Sequence, residues 1–239
     1  MVKIVKHIQS VYGHNFEYAI KGSERPSILL INGAGGPIEG WLKVWEEIGN
    51  DHVVFAYNRL GIGNSSKPSE PQTGEVMVRD LKGLLLALKI EPPYLIVGHS
   101  LGGFIAHLYA ITYPSEVCGV VFLESSTISD VLIEKKPAFD QNKLTETDHL
   151  LTTVHQIQQL NGFSNVPIVV IAGSKPAFRW FMPKGVKEAR LIHQTELASL
   201  SQRGRVIIAK NSGHFPQLTE PQLVLREVNR LLLETSIEE

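Results

Sequence analysis

The sequence predicts an α/β protein built on one mostly parallel sheet of eight strands, with helices covering both faces. Short apolar runs alternate along the chain with stretches of helical spacing, which is typical of repeated strand and helix units. Runs such as residues 27–31 and 52–57 are almost wholly apolar, as expected of strands buried on both sides. At 239 residues the chain is long enough for one large domain, so residues 1–239 are predicted to form a single domain.

Composition argues against several classes of partner. The net charge is −1 and charged residues make up 20% of the chain, so no basic surplus exists to bind nucleic acid or an anionic membrane. No apolar run reaches the ~18 residues of a membrane span, and the N-terminus lacks a cleavable apolar leader. A single cysteine, Cys118, excludes an internal disulfide. We therefore expect a cytoplasmic protein without a membrane partner; the sequence does not indicate its oligomeric state.

The first third of the chain reads as an edge hairpin followed by a strand, a loop and a helix. Two short strands at 4–11 and 16–20 flank a turn at residues 13–15 and are predicted to form an antiparallel edge. The strand at 27–31 ends in a glycine-rich loop at 32–37. Helical spacing follows this loop in four large apolar residues: Trp41, Val44, Trp45 and Ile48.

The same unit then recurs to the C-terminus. After the strand at 52–57, a helix is predicted at 76–88 and is stopped by Pro92 and Pro93. An apolar run from Tyr94 forms the next strand, and a helix follows it. The remaining predicted elements are strands at 117–123, 166–172 and 205–209 and a last helix at 221–233.

Residues 125–165 interrupt this pattern, and we refer to them as the insertion. Alternation is weak there, and two helices are predicted at 127–135 and 144–160. Because open α/β sheets bind ligands at the carboxyl ends of their strands, an insertion in this place is predicted to be a small lid. The alternative is an ordinary crossover helix with a long loop.

The stretch Gly98-His99-Ser100-Leu101-Gly102 fits the pattern G-x-S-x-G. In this pattern a sharp turn from strand to helix raises the serine oxygen above the sheet. The pattern alone also occurs in ordinary turns, but here an apolar run precedes it and residues 104–110 have helical character, as the motif requires. The context predicts Ser100 as a nucleophile.

A serine hydroxyl needs a base, and His214 is the best candidate among nine histidines. It lies directly after the last predicted strand, at the same carboxyl edge of the sheet as Ser100. Gly213 before it and Pro216 after it would hold the loop in a fixed shape. The alternative is a loop histidine without a catalytic role.

Four motifs in order resemble those of the α/β-hydrolase family, and the resemblance covers nearly the whole chain: residues 29–36, 58–65, 98–102 and 212–214. The resemblance implies an α/β-hydrolase fold and an oxyanion hole formed by the backbone N–H groups of Ala34 and Leu101. Asn32 departs from the family pattern, which usually has histidine there. We expect its amide to order the loop instead.

The triad acid departs from the commoner family pattern. Residues 173–179, which follow the strand at 166–172, contain no carboxylate, and Glu188 is the first acid beyond them. The resemblance then favours Glu124, directly after the strand at 117–123, as in a subset of α/β-hydrolases that includes haloalkane dehalogenases. Those enzymes use an aspartate nucleophile, so Ser100 argues against their reaction. Asp130 and Asp148 remain alternative acids.

These residues together predict a serine hydrolase that needs no cofactor and no metal. We expect a carboxylesterase that acts on a small ester through Ser100, His214 and Glu124 by way of an acyl-enzyme. Other chemistry on the same triad is the alternative: a C–C hydrolase, thioesterase, lactonase or perhydrolase, because fold and triad do not set the substrate. A small-molecule receptor on the same scaffold is a further alternative.

Overall fold

A computed structural model describes residues 3–133, 143–160, 162–175 and 186–236. In these ranges the chain forms an eight-stranded sheet with helices on both faces, which confirms the predicted fold class. The strands are β1 (His7–Val11), β2 (His14–Lys21), β3 (Glu24–Ile31), β4 (His52–Tyr57), β5 (Tyr94–His99), β6 (Val117–Leu123), β7 (Ile168–Gly173) and β8 (Gly204–Ala209). The α-helices are α1 (Gly74–Ala87), α2 (Leu101–Thr112), α3 (Ile128–Ile133), α4 (Leu150–Gln159), α5 (Val186–Ala198), α6 (Pro216–Thr219) and α7 (Pro221–Ser236).

The strand order is β1-β2-β4-β3-β5-β6-β7-β8. Strands β4, β3, β5, β6, β7 and β8 are parallel, and β1 and β2 form the predicted antiparallel edge. Strand β5 lies inside the sheet, with Ile96 opposite Leu29 of β3 and Val120 of β6. All six residues of β5 are buried, because neighbours flank it on both edges and helices cover both faces. Ser100 directly follows β5 and therefore lies at the carboxyl edge of a strand that is paired on both sides.

Each face of the sheet carries its own hydrophobic core. Helices α1, α2 and α4 pack on one face against inward-pointing residues such as Ile31, Phe55 and Phe122. Helix α7 and the segment after β3 pack on the other face, against residues such as Leu30 and Val97. This arrangement follows from alternation along each strand, which sends successive side chains to opposite faces.

The segment after β3 differs from the predicted helix. Ile38–Trp41 is a 3₁₀ turn, and consecutive turns follow it as far as residue 51. The carbonyl oxygen of Trp41 accepts from the N–H groups of both Val44, at 3.0 Å, and Trp45, at 2.9 Å, so the bonding mixes 3₁₀ and α patterns. Trp41, Val44, Trp45 and Ile48 are all buried. These four residues have the spacing of a helix because all four side chains reach the core, although the backbone hydrogen bonds do not form a regular α-helix.

Strand β7 begins two residues later than predicted. Pro167 has no N–H and cannot donate to the ladder, so pairing starts at Ile168. The carbonyl oxygen of Pro167 still accepts from Val120 N at 3.0 Å.

The insertion contains the two predicted helices, in shorter form. Helix α3 covers part of the helix predicted at 127–135, of which residues 134 and 135 lie outside the described part of the chain. Helix α4 covers the C-terminal part of the one predicted at 144–160. It docks at the start of α1, where the Gly74 N–H donates to Thr153 Oγ1 at 2.8 Å. Whether the insertion moves as a lid, and the single-domain assignment, stay predictions. Among the helices that the structure describes, none combines the length and apolarity that crossing a bilayer requires.

Candidate active site

Ser100 lies at the sharp turn between β5 and α2, in a backbone conformation that residues other than glycine rarely adopt. Its φ is 51° and its ψ is −120°. The turn needs glycine on both sides: a Cβ at Gly98 would lie 2.6 Å from the carbonyl oxygen of Gly102, and one at Gly102 would lie 2.3 Å from the carbonyl oxygen of Ile31. Strain of this kind is stored at functional sites, and here it presents the Ser100 hydroxyl above the sheet edge.

His214 lies within hydrogen-bond distance of Ser100. It belongs to the loop between β8 and α6, and its Nε2 atom is 3.1 Å from Ser100 Oγ. His99, the residue before Ser100, fixes the same loop: its Nε2 atom lies 2.7 Å from the carbonyl oxygen of His214. Since a carbonyl oxygen only accepts, Nε2 of His99 carries the proton. The turn at Ser100 and the loop that carries His214 are therefore joined by one contact between side chains and one contact to the backbone.

Glu124 follows β6 and lies behind His214. Its side chain is 3% exposed, and its φ of 43° turns the chain sharply after the strand. Oε1 accepts from the Gly173 N–H at 2.5 Å, and Oε2 lies 3.6 Å from His214 Nδ1. The guanidinium of Arg190, on α5, also contacts Oε2. A buried carboxylate is costly to desolvate unless it is paired, and Glu124 has a backbone donor and a cation to offset that cost.

The two alternative acids lie away from His214. Asp130 contacts His193 Nδ1 at 2.7 Å and the hydroxyl of Thr127 at 2.7 Å. Asp148 contacts the hydroxyl of Thr145 within the insertion. The structure thus places Glu124, and neither aspartate, beside His214.

The two predicted oxyanion donors lie in two separate segments, the start of α2 and the glycine-rich loop after β3. Leu101 is the first residue of α2, where a helix leaves its N–H groups without partners. Ala34 is exposed in the glycine-rich loop, and a Cβ on its neighbour Gly33 would lie only 3.0 Å from Ser100 Cβ. Within the described residues neither the Ala34 N–H nor the Leu101 N–H donates a hydrogen bond.

The loop that carries Ala34 is held by an ion pair and not by the Asn32 amide. Asn32 is buried, but its Nδ2 has no hydrogen-bond partner among the described residues. The expectation that this amide group orders the loop by donating a hydrogen bond is therefore wrong. Instead Arg59, in the loop after β4, donates to the carbonyl oxygens of Asn32 at 2.8 Å and Gly33 at 2.6 Å. Glu146 of the insertion accepts from the Gly35 N–H at 2.6 Å and from Arg59 Nε at 2.5 Å.

Comparison with known proteins identifies the family. The family model described as the alpha/beta hydrolase fold matches residues 26–151, more than half of the chain. The chain belongs to the α/β-hydrolase fold family. This confirms the resemblance that its four motifs carry.

Individual relatives of this α/β-hydrolase are distant. It is 28% identical over 213 residues to the uncharacterized protein YqjL of Bacillus subtilis, covering 85% of this chain and 82% of that protein. It is 30% identical over 118 residues to the rat 1-acylglycerol-3-phosphate O-acyltransferase ABHD5, covering 48% of this chain but 32% of that protein. The solved enol-lactonase of Burkholderia xenovorans LB400 is 18% identical with a TM-score of 0.71, and the match covers 95% of this chain and 100% of that one. At this identity the structural match shows the fold alone.

Two buried histidines in this α/β-hydrolase are neutral at physiological pH. Burial lowers the pKa of His99 to about 4, although its hydrogen bond to the His214 carbonyl acts in the opposite direction. Burial alone lowers the pKa of His107, on α2, to about 4. Burial also opposes the charge of Arg59, but the adjacent Glu146 carboxylate outweighs it and raises the pKa of Arg59. Arg59 is therefore charged. Among the described residues no group of three or more His, Cys, Asp or Glu could hold a metal.

Sequence reasoning missed three residues at this site. Arg59 lies in the motif at 58–65 that carried part of the family resemblance, so its position was visible although its contacts were not. Glu146 lies in the weakly patterned insertion, and Arg190 lies in a helix far along the chain. No local signal distinguishes either from a solvated surface charge.

Proposed function

We propose that this protein is a serine hydrolase of the carboxylesterase type that acts on a small ester. The distance of 3.1 Å between His214 Nε2 and Ser100 Oγ carries the proposal, because it pairs a hydroxyl with a base at a strained turn. Glu124 lies on the other side of the imidazole, and among the described residues the N–H groups of Ala34 and Leu101 have no hydrogen-bond partner. A nucleophile, a base, an acid and an oxyanion hole are the parts that acyl transfer needs.

Acylation begins when Ser100 Oγ attacks the ester carbonyl carbon while His214 Nε2 takes its proton. The carbonyl oxygen becomes an oxyanion that accepts hydrogen bonds from the Ala34 and Leu101 N–H groups. Glu124 stabilises the imidazolium and holds Nδ1 in its protonated form. His214 then gives the proton to the departing alkoxide, the C–O bond of the ester breaks, and the alcohol leaves.

Deacylation repeats these steps with water. His214 takes a proton from a water molecule, which attacks the acyl carbon of the acyl-enzyme. The second tetrahedral intermediate uses the same two N–H groups, and His214 returns the proton to Ser100 Oγ as the carboxylic acid leaves. Every proton transfer in the two steps thus passes through Nε2 of His214.

A fluorophosphonate probe and a short p-nitrophenyl ester test the proposal. The wild-type protein should be labelled and should turn over the ester, and Ser100→Ala should do neither. Ser126→Ala provides a matched control, since no hydrogen bond of that side chain is found among the described residues and labelling should persist. Labelling of Ser100→Ala at the wild-type rate would refute Ser100 as the nucleophile. A panel of thioesters, lactones and C–C substrates then ranks the acyl donors.

A further inference from the structure

The ion pair between Arg59 and Glu146 is almost fully buried. The Arg59 side chain is 3% exposed and the Glu146 side chain is 10% exposed. Two contacts join them: Nε to Oε2 at 2.5 Å and Nη2 to Oε1 at 3.0 Å. This two-point geometry fixes the orientation of both side chains more strictly than a single contact would.

The same pair forms hydrogen bonds to the backbone on both sides of Ala34. Arg59 Nη2 donates to the carbonyl oxygen of Gly33 at 2.6 Å, and Glu146 Oε1 accepts from the Gly35 N–H at 2.6 Å. The peptide groups before and after Ala34 are thus fixed, so the direction of the Ala34 N–H is fixed with them. Because Gly35 donates to Glu146, its N–H is not free to compete with that of Ala34 for a substrate oxygen.

Glu146 comes from the insertion and not from the sheet. It lies in residues 143–149, just before α4. Arg59 follows β4, and the glycine-rich loop that carries Ala34, which we call the oxyanion loop, follows β3. A second contact docks this segment nearby, since the carbonyl oxygen of Leu144 accepts from Gln72 N at 3.2 Å. The geometry of the oxyanion loop therefore depends on where the insertion packs.

The charges of the pair also matter for the chemistry. A lone carboxylate next to the oxyanion loop would repel the negative charge that develops in the transition state, but Arg59 balances it. Removing Glu146 leaves a buried cation without its partner and releases the Gly35 N–H. Both changes loosen the loop that carries Ala34.

We propose that Glu146 is a positioning residue of the oxyanion hole, through which the insertion sets the direction of the Ala34 N–H. The inference rests on the proposed serine hydrolase function and extends it to a residue outside the triad. It concerns transition-state binding: an oxyanion donor acts on the tetrahedral intermediate more than on the bound ester.

The test compares Glu146→Ala, Glu146→Gln and Asp148→Asn in the full chain. Asp148 is a matched control, since it is an acid on the same segment that contacts Thr145 and no residue of the oxyanion loop. We measure kcat and KM with a p-nitrophenyl ester, and the inhibition constant of an alkyl boronic acid, which forms a tetrahedral adduct on a reactive serine. Thermal unfolding reports the folded fraction of each variant.

We expect Glu146→Ala to lower kcat by about 10- to 100-fold, with KM changed less than about threefold, since loss of one oxyanion donor costs about 10²- to 10³-fold. The boronic acid should bind more weakly by a similar factor. Glu146→Gln keeps an acceptor for the Gly35 N–H and should lose less, and Asp148→Asn should match the wild type. If Glu146→Ala fails to fold, the Glu146→Gln values decide.

Wild-type kcat and boronic acid affinity in folded Glu146→Ala would overturn the inference, as would wild-type values in Glu146→Gln if the alanine variant does not fold. An equal loss in Asp148→Asn would also overturn it. These outcomes differ from failure of the proposed function. In that case the wild-type protein itself shows neither turnover nor fluorophosphonate labelling.

Discussion

The Nδ1 atom of His214 lies 3.6 Å from Oε2 of Glu124, beyond normal hydrogen-bond distance. The guanidinium of Arg190 contacts the same oxygen, so His214, the proposed base, and Arg190 both face one carboxylate atom. Two cationic groups then compete for one negative charge whenever His214 is protonated. Arg190 is in a position to tune the base without contacting it.

The first prediction concerns the pH dependence of activity after removal of Arg190. Arg190→Gln leaves the charge of Glu124 to the imidazolium alone, which stabilises the protonated form of His214. The acid limb of the kcat/KM profile should move to higher pH. The kcat/KM of the p-nitrophenyl ester, measured across pH for variant and wild type, gives the direction of this movement.

Two further variants separate charge from shape in this prediction. Arg190→Lys keeps a cation near Glu124 and should shift the acid limb less. Arg226→Gln removes an exposed arginine that pairs with Glu227 on α7 and should leave the profile unchanged. An acid limb of Arg190→Gln that coincides with that of the wild type would show that Arg190 serves only to satisfy a buried carboxylate.

The second prediction is that Glu124→Gln lowers kcat by about 10²- to 10⁴-fold. The amide oxygen still accepts from the Gly173 N–H, but the neutral side chain no longer stabilises the imidazolium or fixes its tautomer. Asp130→Asn is the matched control, since its contacts to His193 and Thr127 leave it outside the triad. Steady-state turnover of the p-nitrophenyl ester measures both. A larger loss in Asp130→Asn than in Glu124→Gln would reassign the acid.

The third prediction exploits the strain at Ser100. Its φ of 51° with ψ of −120° is a conformation that glycine adopts without a Cβ penalty. Ser100→Gly and Ser100→Ala should both be inactive, but the glycine variant should be more stable by about 1 kcal/mol, since the released strain of about 1–3 kcal/mol exceeds the added unfolded-state entropy. Urea unfolding measures the difference, and equal midpoints with equal m values would mean that the released strain does not exceed the entropy that glycine adds to the unfolded state.

The fourth prediction is a loss of stability in acid from His99 and His107. Both have folded-state pKa values of about 4, below the usual 6.5. Between these values the unfolded chain binds more protons than the folded one, so stability falls as the pH drops from 6.5 towards 4. Each histidine costs up to about 3 kcal/mol at the low end of that window.

His107→Leu tests this acid sensitivity at a position away from Ser100. The variant lacks the buried imidazole on α2, so its unfolding free energy should fall by about 2 kcal/mol less between pH 7 and pH 4.5 than that of the wild type. His99 remains in the variant and keeps its own contribution to the loss. Chemical denaturation at both pH values gives the comparison, and an unaltered pH dependence would contradict the assigned cause.

Much of the fold follows from local pattern. Buried parallel strands such as β5 are almost wholly apolar, and the glycines around Ser100 are needed because backbone segments meet there at distances that no Cβ tolerates. The order of strands along the chain then brings His214 to the edge where Ser100 lies. These signals depend on short stretches of chain, so the sequence carries them directly.

The contacts that tune the site follow from packing between distant segments. Arg59 and Glu146 are separated by 87 positions, and Glu124 and Arg190 by 66. Neither spacing has a period or a motif, because the partners meet only after the insertion and α5 have packed on the sheet. Similarly, Trp41 and Trp45 show helical spacing, yet their burial fixes a segment of mixed turns. Composition and periodicity do not encode such choices.

Glu146 has a practical consequence for protein engineering. Loops tolerate exchange better than the strands they connect, so the insertion between β6 and β7 is a place to change the substrate range. In this chain such a transplant would also remove the carboxylate that pairs with Arg59. On the role proposed for Glu146, a graft designed only for pocket shape would then lower turnover of every substrate. A donor segment should therefore carry an acid that reaches the amide of Gly35.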